Sequence, residues 1–294
     1  MVQLVCPRCA TTLQKIESGW QCTSCAIVYP IKKGIPVLIA REAVSISEAG
    51  RSIDSTVSGS FDYLQHYSSD AEHFDYFEEQ SGATEHSERR LREYITSVVP
   101  SEAHAILDIG SGSAWVARTF LPRGKRIVSL DASEKNPSEA VKRYPSEQHA
   151  GIAADAFALP FKDGSFDTVI AAEIIEHVTD PAAFVAEAFR VVRPGGAVVI
   201  STPYKEKLKY ELCIHCHELT PVNAHLHSFD EQKLRALLPS AHFSWNAFNN
   251  KLLLFARTYI ILRYLPFQIW KMIDAAASML VKKPVNIVVR YIKK

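Results

Sequence analysis

The 294-residue sequence lacks a long apolar run, an excess of one charge and any cysteine outside a paired motif. No uncharged apolar stretch reaches the roughly 18 residues of a membrane span, because charges interrupt the most apolar region, at Arg257, Arg263, Lys271 and Asp274. The 33 basic and 32 acidic residues leave a net charge of +1, so no chain-wide basic field attracts nucleic acid. With 12 glycines, 15 prolines and 47% hydrophobic residues, disordered and collagen-like chains are excluded. A globular protein of about two domains remains.

The six cysteines form three C-x2-C pairs: Cys6/Cys9, Cys22/Cys25 and Cys213/Cys216. The opening segment MVQLVCPRC lacks the basic stretch and apolar core of a secretory signal, so we expect a cytoplasmic protein with reduced thiols. The first two pairs have the spacing C-x2-C-x12-C-x2-C, and four thiolates without an open position predict a structural zinc site. Two redox-active dithiols are the alternative, which is disfavoured because no βαβ unit accompanies them.

Composition divides the chain into three predicted parts. Residues 1–40 form a zinc ribbon, and residues 41–61, rich in Ser, Asp, Glu and Gly, form a linker. Residues 62–294 form the main domain, whose first aromatic-rich stretch predicts short covering helices. Short apolar runs then alternate with helical stretches, which is typical of a doubly wound parallel sheet. The predicted strands are Ala105–Ile109, Arg126–Leu130, Ile152–Ala154, Phe166–Ala172 and Ala197–Ser201.

A glycine-rich turn, DIGSGS, follows the first predicted strand. Asp108 precedes Gly110 by two residues, where a dinucleotide-binding fold usually has an apolar residue, and Trp115 replaces the third glycine of G-x-G-x-x-G. Asp131 ends the next strand, where an acidic side chain meets ribose hydroxyls. The pattern favours an adenosine cofactor other than a nicotinamide dinucleotide. A turn-capping carboxylate is the alternative role for Asp108.

Five motifs in this order resemble the class I S-adenosylmethionine-dependent methyltransferases of ubiquinone and menaquinone biosynthesis: DIGSGS, Asp131, DAFALPFKDGSFD, EIIEHVTDP and RVVRPGGAVVISTP. The resemblance covers residues 62–294 and implies a Rossmann-like, seven-stranded α/β sheet that binds S-adenosylmethionine. One departure is Ser113, where many members have a further glycine. The resemblance implies that Asp108 and Gly110 hold the methionine end of the cofactor, Asp131 the ribose, and Asp155 with Ala156 the adenine, while Ser111, Gly112 and Ala132 complete the pocket.

Glu173, Glu176 and His177 follow the fourth strand in the pattern E-x-x-E-H. On one helical turn these positions share a face, so they would hold a divalent cation that lowers the pKa of a substrate hydroxyl. The pattern resembles that of metal-dependent O-methyltransferases acting in ubiquinone biosynthesis or on RNA 2′-hydroxyls. Those families have a further histidine downstream, which His225 or His227 would supply in this chain. His177 is accordingly the candidate catalytic residue. The alternative is a metal-free turn that shapes the cofactor pocket.

The third cysteine pair lies in the histidine-rich segment CIHCHELTPVNAHLH. Cys213 and Cys216, with either His225 or His227, would bind a second zinc ion. Alternatively, the segment positions a substrate-facing loop without metal. The second zinc ion and the E-x-x-E-H cation would compete for the same histidines.

The apolar region 251–283 is predicted as a helical insert between the sixth and seventh strands, before an antiparallel strand at VNIVVRYIKK. Residues 251–294 carry nine basic residues and one acidic residue, a net charge of +8, so the first 250 residues carry −7. The insert is either a cap over the site or a segment that docks on an anionic membrane surface, with Phe267 and Trp270 entering the lipid. Membrane docking would suit a lipid-linked acceptor.

The sequence therefore predicts an enzyme that moves a methyl group from S-adenosylmethionine to a hydroxyl of a small-molecule, lipid-linked or glycan acceptor. We expect it to be cytoplasmic or peripheral to the membrane. An rRNA or tRNA methyltransferase that binds RNA through the ribbon is an alternative, which the near-neutral charge disfavours. A non-catalytic scaffold is another, because YPIKKGIPVLI resembles the small zinc-ribbon activator subunit of tRNA and protein methyltransferases.

Overall fold

The computed structural model describes residues 2–39 and 61–294, so the predicted linker 41–61 lies outside the described residues except for Phe61. The strands are β1 (Leu13–Ile16), β2 (Gly19–Cys22), β3 (Val28–Lys32), β4 (Ile35–Leu38), β5 (Ala105–Ile109), β6 (Arg126–Asp131), β7 (His149–Ala154), β8 (Phe166–Ala172), β9 (Val192–Pro203), β10 (Tyr210–Leu212), β11 (Leu219–Pro221), β12 (His242–Phe248) and β13 (Asn286–Ile292). The helices are α1 (Tyr63–His73), α2 (Gly82–Val98), α3 (Trp115–Phe120), α4 (Lys135–Arg143), α5 (Pro181–Arg190), α6 (Glu231–Leu237), α7 (Lys251–Phe255), α8 (Tyr259–Leu262) and α9 (Phe267–Leu280).

The main sheet has the strand order β1-β2-β3-β4-β7-β6-β5-β8-β9-β13-β12. Strands β7, β6, β5, β8 and β9 run parallel, and β13 pairs antiparallel with both β9 and β12. All five residues of β5 are buried, as expected where helices cover both faces of a parallel sheet. The predicted Rossmann-like α/β fold is confirmed. Its seven-stranded part has the strand order β7-β6-β5-β8-β9-β13-β12.

Three of the predicted strands differ in length from those observed, of which β6 is one residue longer and ends at Asp131. Strand β7 starts three residues earlier than predicted, and β9 already starts at Val192. The segment RPGG lies inside β9 as a bulge. Here the pairing with β8 shifts between Phe166 and Thr168, and Gly195 has a left-handed φ of 78°.

The N-terminal ribbon continues the main sheet. Its strands β1 to β4 form an antiparallel meander, and β4 pairs in parallel with β7 through Val37–Ala153 and Leu38–Ala154. Leu38 is completely buried in this contact. The ribbon thus covers a sheet edge that would otherwise expose unpaired backbone groups.

Helices α7 to α9 lie between β12 and β13 and pack on α2. The guanidinium of Arg90, itself fully buried, donates to the carbonyl oxygens of Leu262 and Leu265 at 2.6 and 2.9 Å. Asp274 accepts hydrogen bonds from the backbone NH groups of Asn249 and Asn250. These contacts fix the insert to the domain. Within the described residues, no helix is both long and apolar enough to cross a membrane.

Candidate functional site

The ribbon brings Cys6, Cys9, Cys22 and Cys25 together, with all four sulfur atoms within 4.8 Å of one another. The Sγ atoms of Cys9 and Cys22 are 3.5 Å apart, and the Cys25 NH donates to Cys22 Sγ at 3.3 Å. Four converging thiols are the donor set of a closed, tetrahedral zinc site. The cluster is consistent with the zinc-binding module that the spacing predicts.

A large cavity of about 1730 Å³ lies at the carboxyl ends of β5, β6, β7 and β8. The residues that immediately follow these strands line it: Gly110, Gly112, Asp131, Ala132, Ala156, Glu173 and Ile174. Parallel α/β sheets bind ligands at this edge, because the loops after the strands meet there. Six of these seven residues are among those predicted for the site, and Ile174 is an addition.

The glycine turn after β5 is shaped by a close neighbour. Gly110 has a left-handed φ of 72°, and a Cβ atom there would lie 2.2 Å from Ile174 Cδ1. The NH groups of Gly110 and Ser111 donate to the Leu130 carbonyl at 2.8 and 3.0 Å, which holds the turn against β6. Ser111 is 1% exposed and does not line the cavity, whereas Gly112 does. The turn therefore presents backbone to the cavity, as a closely bound ligand requires.

Asp108 and Asp131 are buried carboxyl groups at the ends of β5 and β6. Burial, with a further contribution from Asp131, raises the pKa of Asp108 to about 8, and Asp108 Oδ2 has no hydrogen-bond partner in the described part of the chain. Asp131 accepts from the Ser133 NH at 3.0 Å and from Asn136 Nδ2 at 3.1 Å, while burial raises its pKa. The ionised form of such carboxyl groups is stabilised by a cationic ligand.

Asp155, at the end of β7, is bound by the covering helix α1. Its carboxylate accepts from the Tyr63 hydroxyl at 2.7 Å and from the Phe157 NH at 2.9 Å. Tyr63, Tyr67 and Tyr76 all line the cavity. The aromatic-rich sequence predicted covering helices but not this tyrosine–carboxylate contact, since residues so distant in sequence give no signal of their pairing.

The E-x-x-E-H segment is not the helical turn that was expected. It is an irregular bend and turn in which Glu173 adopts a left-handed φ of 55°. Glu173 therefore lies outside the ligand group, in which Glu176, His177 and His225 bring side-chain atoms within 4.8 Å of one another. Glu176 is 1% exposed, and burial raises its pKa well above the usual range. In the described structure, Glu173 Oε1 and Glu176 Oε2 have no hydrogen-bond partner.

The two imidazoles of this group are oriented by groups outside it. His177 Nδ1 lies 3.2 Å from the Ala224 carbonyl oxygen, and His225 Nδ1 lies 2.5 Å from Glu206 Oε2. Each contact leaves Nε2 available as a lone-pair donor, an arrangement common among metal-binding histidines. Burial lowers the pKa of His177 to about 4, which keeps its ring neutral. Glu206 was not predicted, because no spacing rule connects it to the motif.

His227 and the third cysteine pair are not part of this group. His227 Nε2 lies 2.9 Å from the Val178 carbonyl oxygen, so the structure selects His225 as the downstream histidine. Cys213 and Cys216 lie at the tip of the β10–β11 hairpin, and neither histidine joins them in a metal-binding group within the described residues. The described structure thus does not bring together the side chains of the predicted second zinc site. The hairpin instead contributes Glu211, Thr220 and Pro221 to the cavity rim.

The insert borders the cavity through Arg263 and Phe267. Trp270, predicted to enter lipid, is 1% exposed and stacks on the half-buried Phe267 with a centroid distance of 5.9 Å, so the Trp270 ring packs inside the domain. The outer surface of the insert carries both apolar and basic side chains. Its exposed large apolar side chains are Leu252, Phe255, Ile260, Ile261, Tyr264, Ile269, Met272, Met279 and Leu280, and Lys251, Arg257, Lys282 and Lys283 are exposed as well.

Comparison with known proteins agrees with this geometry. Residues 107–200 match a family model described as a methyltransferase domain. A probable S-adenosylmethionine-dependent methyltransferase of Mycolicibacterium smegmatis is 33% identical over 141 residues, which cover 47% of this chain and 51% of the relative. A ubiquinone biosynthesis O-methyltransferase of Parvibaculum lavamentivorans is 38% identical over 109 residues, which cover 36% of this chain and 43% of the relative. The chain thus spans about half the length of the curated relatives it matches.

Two solved structures show the same fold. One is a chain from the complex of the Haloferax volcanii Trm112 methyltransferase activator with a methyltransferase, with a TM-score of 0.51 and 18% identity over 80% of this chain and 99% of that one. The other is an S-adenosylmethionine-dependent methyltransferase structure from Listeria monocytogenes, with a TM-score of 0.51 and 10% identity. This match covers 70% of this chain and 99% of that one. Residues 107–200 are thus the core of a class I S-adenosylmethionine-dependent methyltransferase domain, and the predicted family resemblance is confirmed.

Proposed function

We propose that this protein transfers a methyl group from S-adenosylmethionine to a hydroxyl of its acceptor. The observation that carries the proposal is the cavity edge where Gly110 and Gly112 of the glycine turn meet Asp131, with the buried carboxyl group of Asp108 directly behind the turn in β5. Neither carboxyl group forms an ion pair within residues 2–39 and 61–294. A cofactor that carries a sulfonium and an ammonium group would supply the missing positive charge.

When bound, the cofactor supplies an activated methyl group on a sulfonium that is already a good leaving group. The bond from sulfur to methyl carbon breaks as the bond from the acceptor oxygen to that carbon forms, and the electron pair of the broken bond stays on sulfur. The protein's task is to align oxygen, carbon and sulfur. The hydroxyl proton would pass to the carboxylate of Glu173, which lines the cavity and has an oxygen without a hydrogen-bond partner in the described residues. Helix α1, with Tyr63 and Tyr67 facing the cavity, would exclude water from this reaction.

We assign Asp131 and Ala132 to the ribose, Asp155 and Ala156 to the adenine, and the glycine turn to the methionine end. Asp131 supports this assignment because it lines the cavity at the end of β6, one strand away from the turn. Its carboxylate retains lone pairs beyond those used by Ser133 and Asn136.

We expect Asp131→Ala to weaken the binding of S-adenosylmethionine by about 1.5–3 kcal/mol, which is about 10- to 150-fold in Kd. The physical reason is the loss of a charge-assisted hydrogen bond to ribose. Isothermal titration of the variant and of the wild-type protein measures the difference.

The matched control for Asp131→Ala is Asp163→Ala, which removes a carboxylate that is exposed and lies outside the cavity. Thermal melting of both variants checks that the fold is retained. Equal Kd values for Asp131→Ala and wild type would move the ribose away from β6.

A divalent cation held by Glu176, His177 and His225 would direct the reaction to a hydroxyl acceptor. The orphaned oxygen Glu176 Oε2 and the two oriented imidazoles fit such a cation. The cation would lower the pKa of an acceptor hydroxyl. Because the pKa of His177 is about 4, this ring is a poor proton acceptor at neutral pH, and we assign it to holding the cation. The similarity to a ubiquinone biosynthesis O-methyltransferase also supports a hydroxyl acceptor.

The acceptor class that the surface favours is an amphiphilic or lipid-linked molecule. The insert exposes Phe255, Ile261 and Tyr264 to 91%, 72% and 80%, and it borders the cavity through Arg263 and Phe267. Lys282 and Lys283 are exposed at the end of the same insert. Apolar side chains and nearby basic groups both favour an anionic lipid interface, where each basic group adds about 1 kcal/mol.

We expect the protein to bind phosphatidylcholine vesicles that contain phosphatidylglycerol, and to lose this binding in Phe255→Ser/Ile261→Ser/Tyr264→Ser. Each lost apolar contact removes about 1.5 kcal/mol, so partitioning should fall at least roughly tenfold. Co-sedimentation at low and high salt measures it.

The matched control for the triple variant is Ile214→Ser, whose side chain is 97% exposed but lies outside the insert. Vesicle binding that is absent in the wild-type protein, or unchanged in the triple variant, would favour an acceptor dissolved in water.

A further inference from the structure

The third C-x2-C pair has the same backbone geometry as the two knuckles of the ribbon. In each, the NH of the first cysteine donates to the carbonyl oxygen of the fifth residue after it: Cys6 to Thr11 at 2.8 Å, Cys22 to Ile27 at 2.9 Å, and Cys213 to Glu218 at 2.9 Å. The residue after the second cysteine has a left-handed backbone in each, with φ of 59° at Ala10, 56° at Ala26 and 59° at His217. The hairpin thus has the backbone geometry of one half of the four-cysteine cluster in the ribbon.

The other half is not supplied by the described part of the same chain. No third Cys, His, Asp or Glu ligand atom there forms a group with Cys213 and Cys216 within 4.8 Å. The two histidines that follow in sequence are engaged elsewhere, His225 with Glu206 and His227 with the Val178 carbonyl. Because zinc in structural sites takes four ligands, a zinc ion held by this pair would take two more from outside the described part of the chain.

The hairpin that carries the two thiols exposes four apolar side chains. Ile214, between the cysteines, is 97% exposed, and Leu212, Leu219 and Tyr210 are 60%, 50% and 47% exposed. Cys216 itself is exposed. An apolar patch that surrounds two metal-binding thiols is suited to burial against a surface that supplies two more thiols.

We propose that Cys213 and Cys216 bind zinc together with the same two residues of a second copy of this chain. A two-fold symmetric contact presents the same patch from both copies, so two knuckles would complete one tetrahedral tetrathiolate site. The four apolar side chains of each hairpin would be covered in the same contact. Because Glu211, Thr220 and Pro221 of this hairpin line the cavity, the zinc ion would also fix the cavity rim.

The test measures mass and zinc content for the full-length wild-type protein and for Cys213→Ser/Cys216→Ser. Light scattering should give twice the 32.8 kDa chain mass for the wild-type protein with zinc, and the chain mass for the variant. The zinc content of the variant should be lower by half an ion per chain, because one ion is shared by two chains. With cobalt in place of zinc, the thiolate charge-transfer absorption should fall in the same variant.

The wild-type protein and the variant both retain the ribbon and the Glu176, His177 and His225 group. Metal bound at those places therefore cancels when the two zinc contents are subtracted. A wild-type protein that is monomeric with zinc would overturn the proposal, and so would a variant that remains dimeric. A loss of one full ion per monomeric chain would show completion of the site within one chain and would also overturn it. Loss of the ribbon zinc is excluded separately when the variant retains the melting temperature of the wild-type protein.

Discussion

Glu176→Gln is expected to slow methyl transfer by about two orders of magnitude and to leave the affinity for S-adenosylmethionine unchanged. The substitution removes the negative charge from the Glu176, His177 and His225 group while it preserves the shape of the side chain. A bound cation contributes several kcal/mol to the stabilisation of a developing alkoxide, and about 3 kcal/mol corresponds to roughly 150-fold in rate. A chelator should have the same effect on the wild-type protein.

Two measurements separate this cation role from a purely structural one. The first is transfer of labelled methyl from S-adenosylmethionine into a metabolite extract, and the second is titration with Mn²⁺, which reports the cation site without an acceptor. Glu147→Gln, at an exposed carboxylate outside the cavity, is the matched control. Full transfer in the presence of chelator, with unchanged Mn²⁺ binding in Glu176→Gln, contradicts the assignment.

Cys22→Ser is expected to abolish zinc binding at the ribbon and to unfold residues 2–39, because a three-thiolate site loses much of the roughly 10–16 kcal/mol that structural zinc contributes. The main domain should stay folded but melt several degrees lower. Its edge strand β7 would lose the pairing with Val37 and Leu38, and a loss of about 1–2 kcal/mol shifts Tm by about 2–8 °C.

Hydrogen exchange resolved by segment, together with metal analysis, measures this outcome. Ser24→Ala serves as the matched control, since it changes an exposed residue of the same loop and leaves all thiols in place. Preserved protection of residues 2–39 in Cys22→Ser would rule out the structural zinc.

Much of the main domain could be predicted from the sequence because its strands are short apolar runs separated by turn residues. The ends of β5 and β8 were predicted without error, and Asp180, which precedes a proline, begins α5 by accepting from the NH groups of two following residues. These features are local. Turn chemistry and hydrophobic pattern act over a few residues, so one sequence is enough to reveal them.

The errors arose where distant segments meet. The pairing of β4 with β7 leaves no local signal, because an edge strand accepts any extended segment of suitable shape. The E-x-x-E-H segment was expected to be helical from its spacing, but the left-handed Glu173 withdraws one carboxylate from the ligand group. Cys213 and His225 are close in sequence, yet the β10–β11 hairpin directs the cysteines to its exposed tip.

The central claim is that the cavity at the ends of β5 and β6 binds S-adenosylmethionine. Isothermal titration of the wild-type protein with this cofactor tests it most directly, because the measurement needs no knowledge of the acceptor. We predict one cofactor bound per chain, with an affinity that falls in Asp131→Ala and stays constant in Asp163→Ala. A folded wild-type protein that binds no S-adenosylmethionine would contradict the claim.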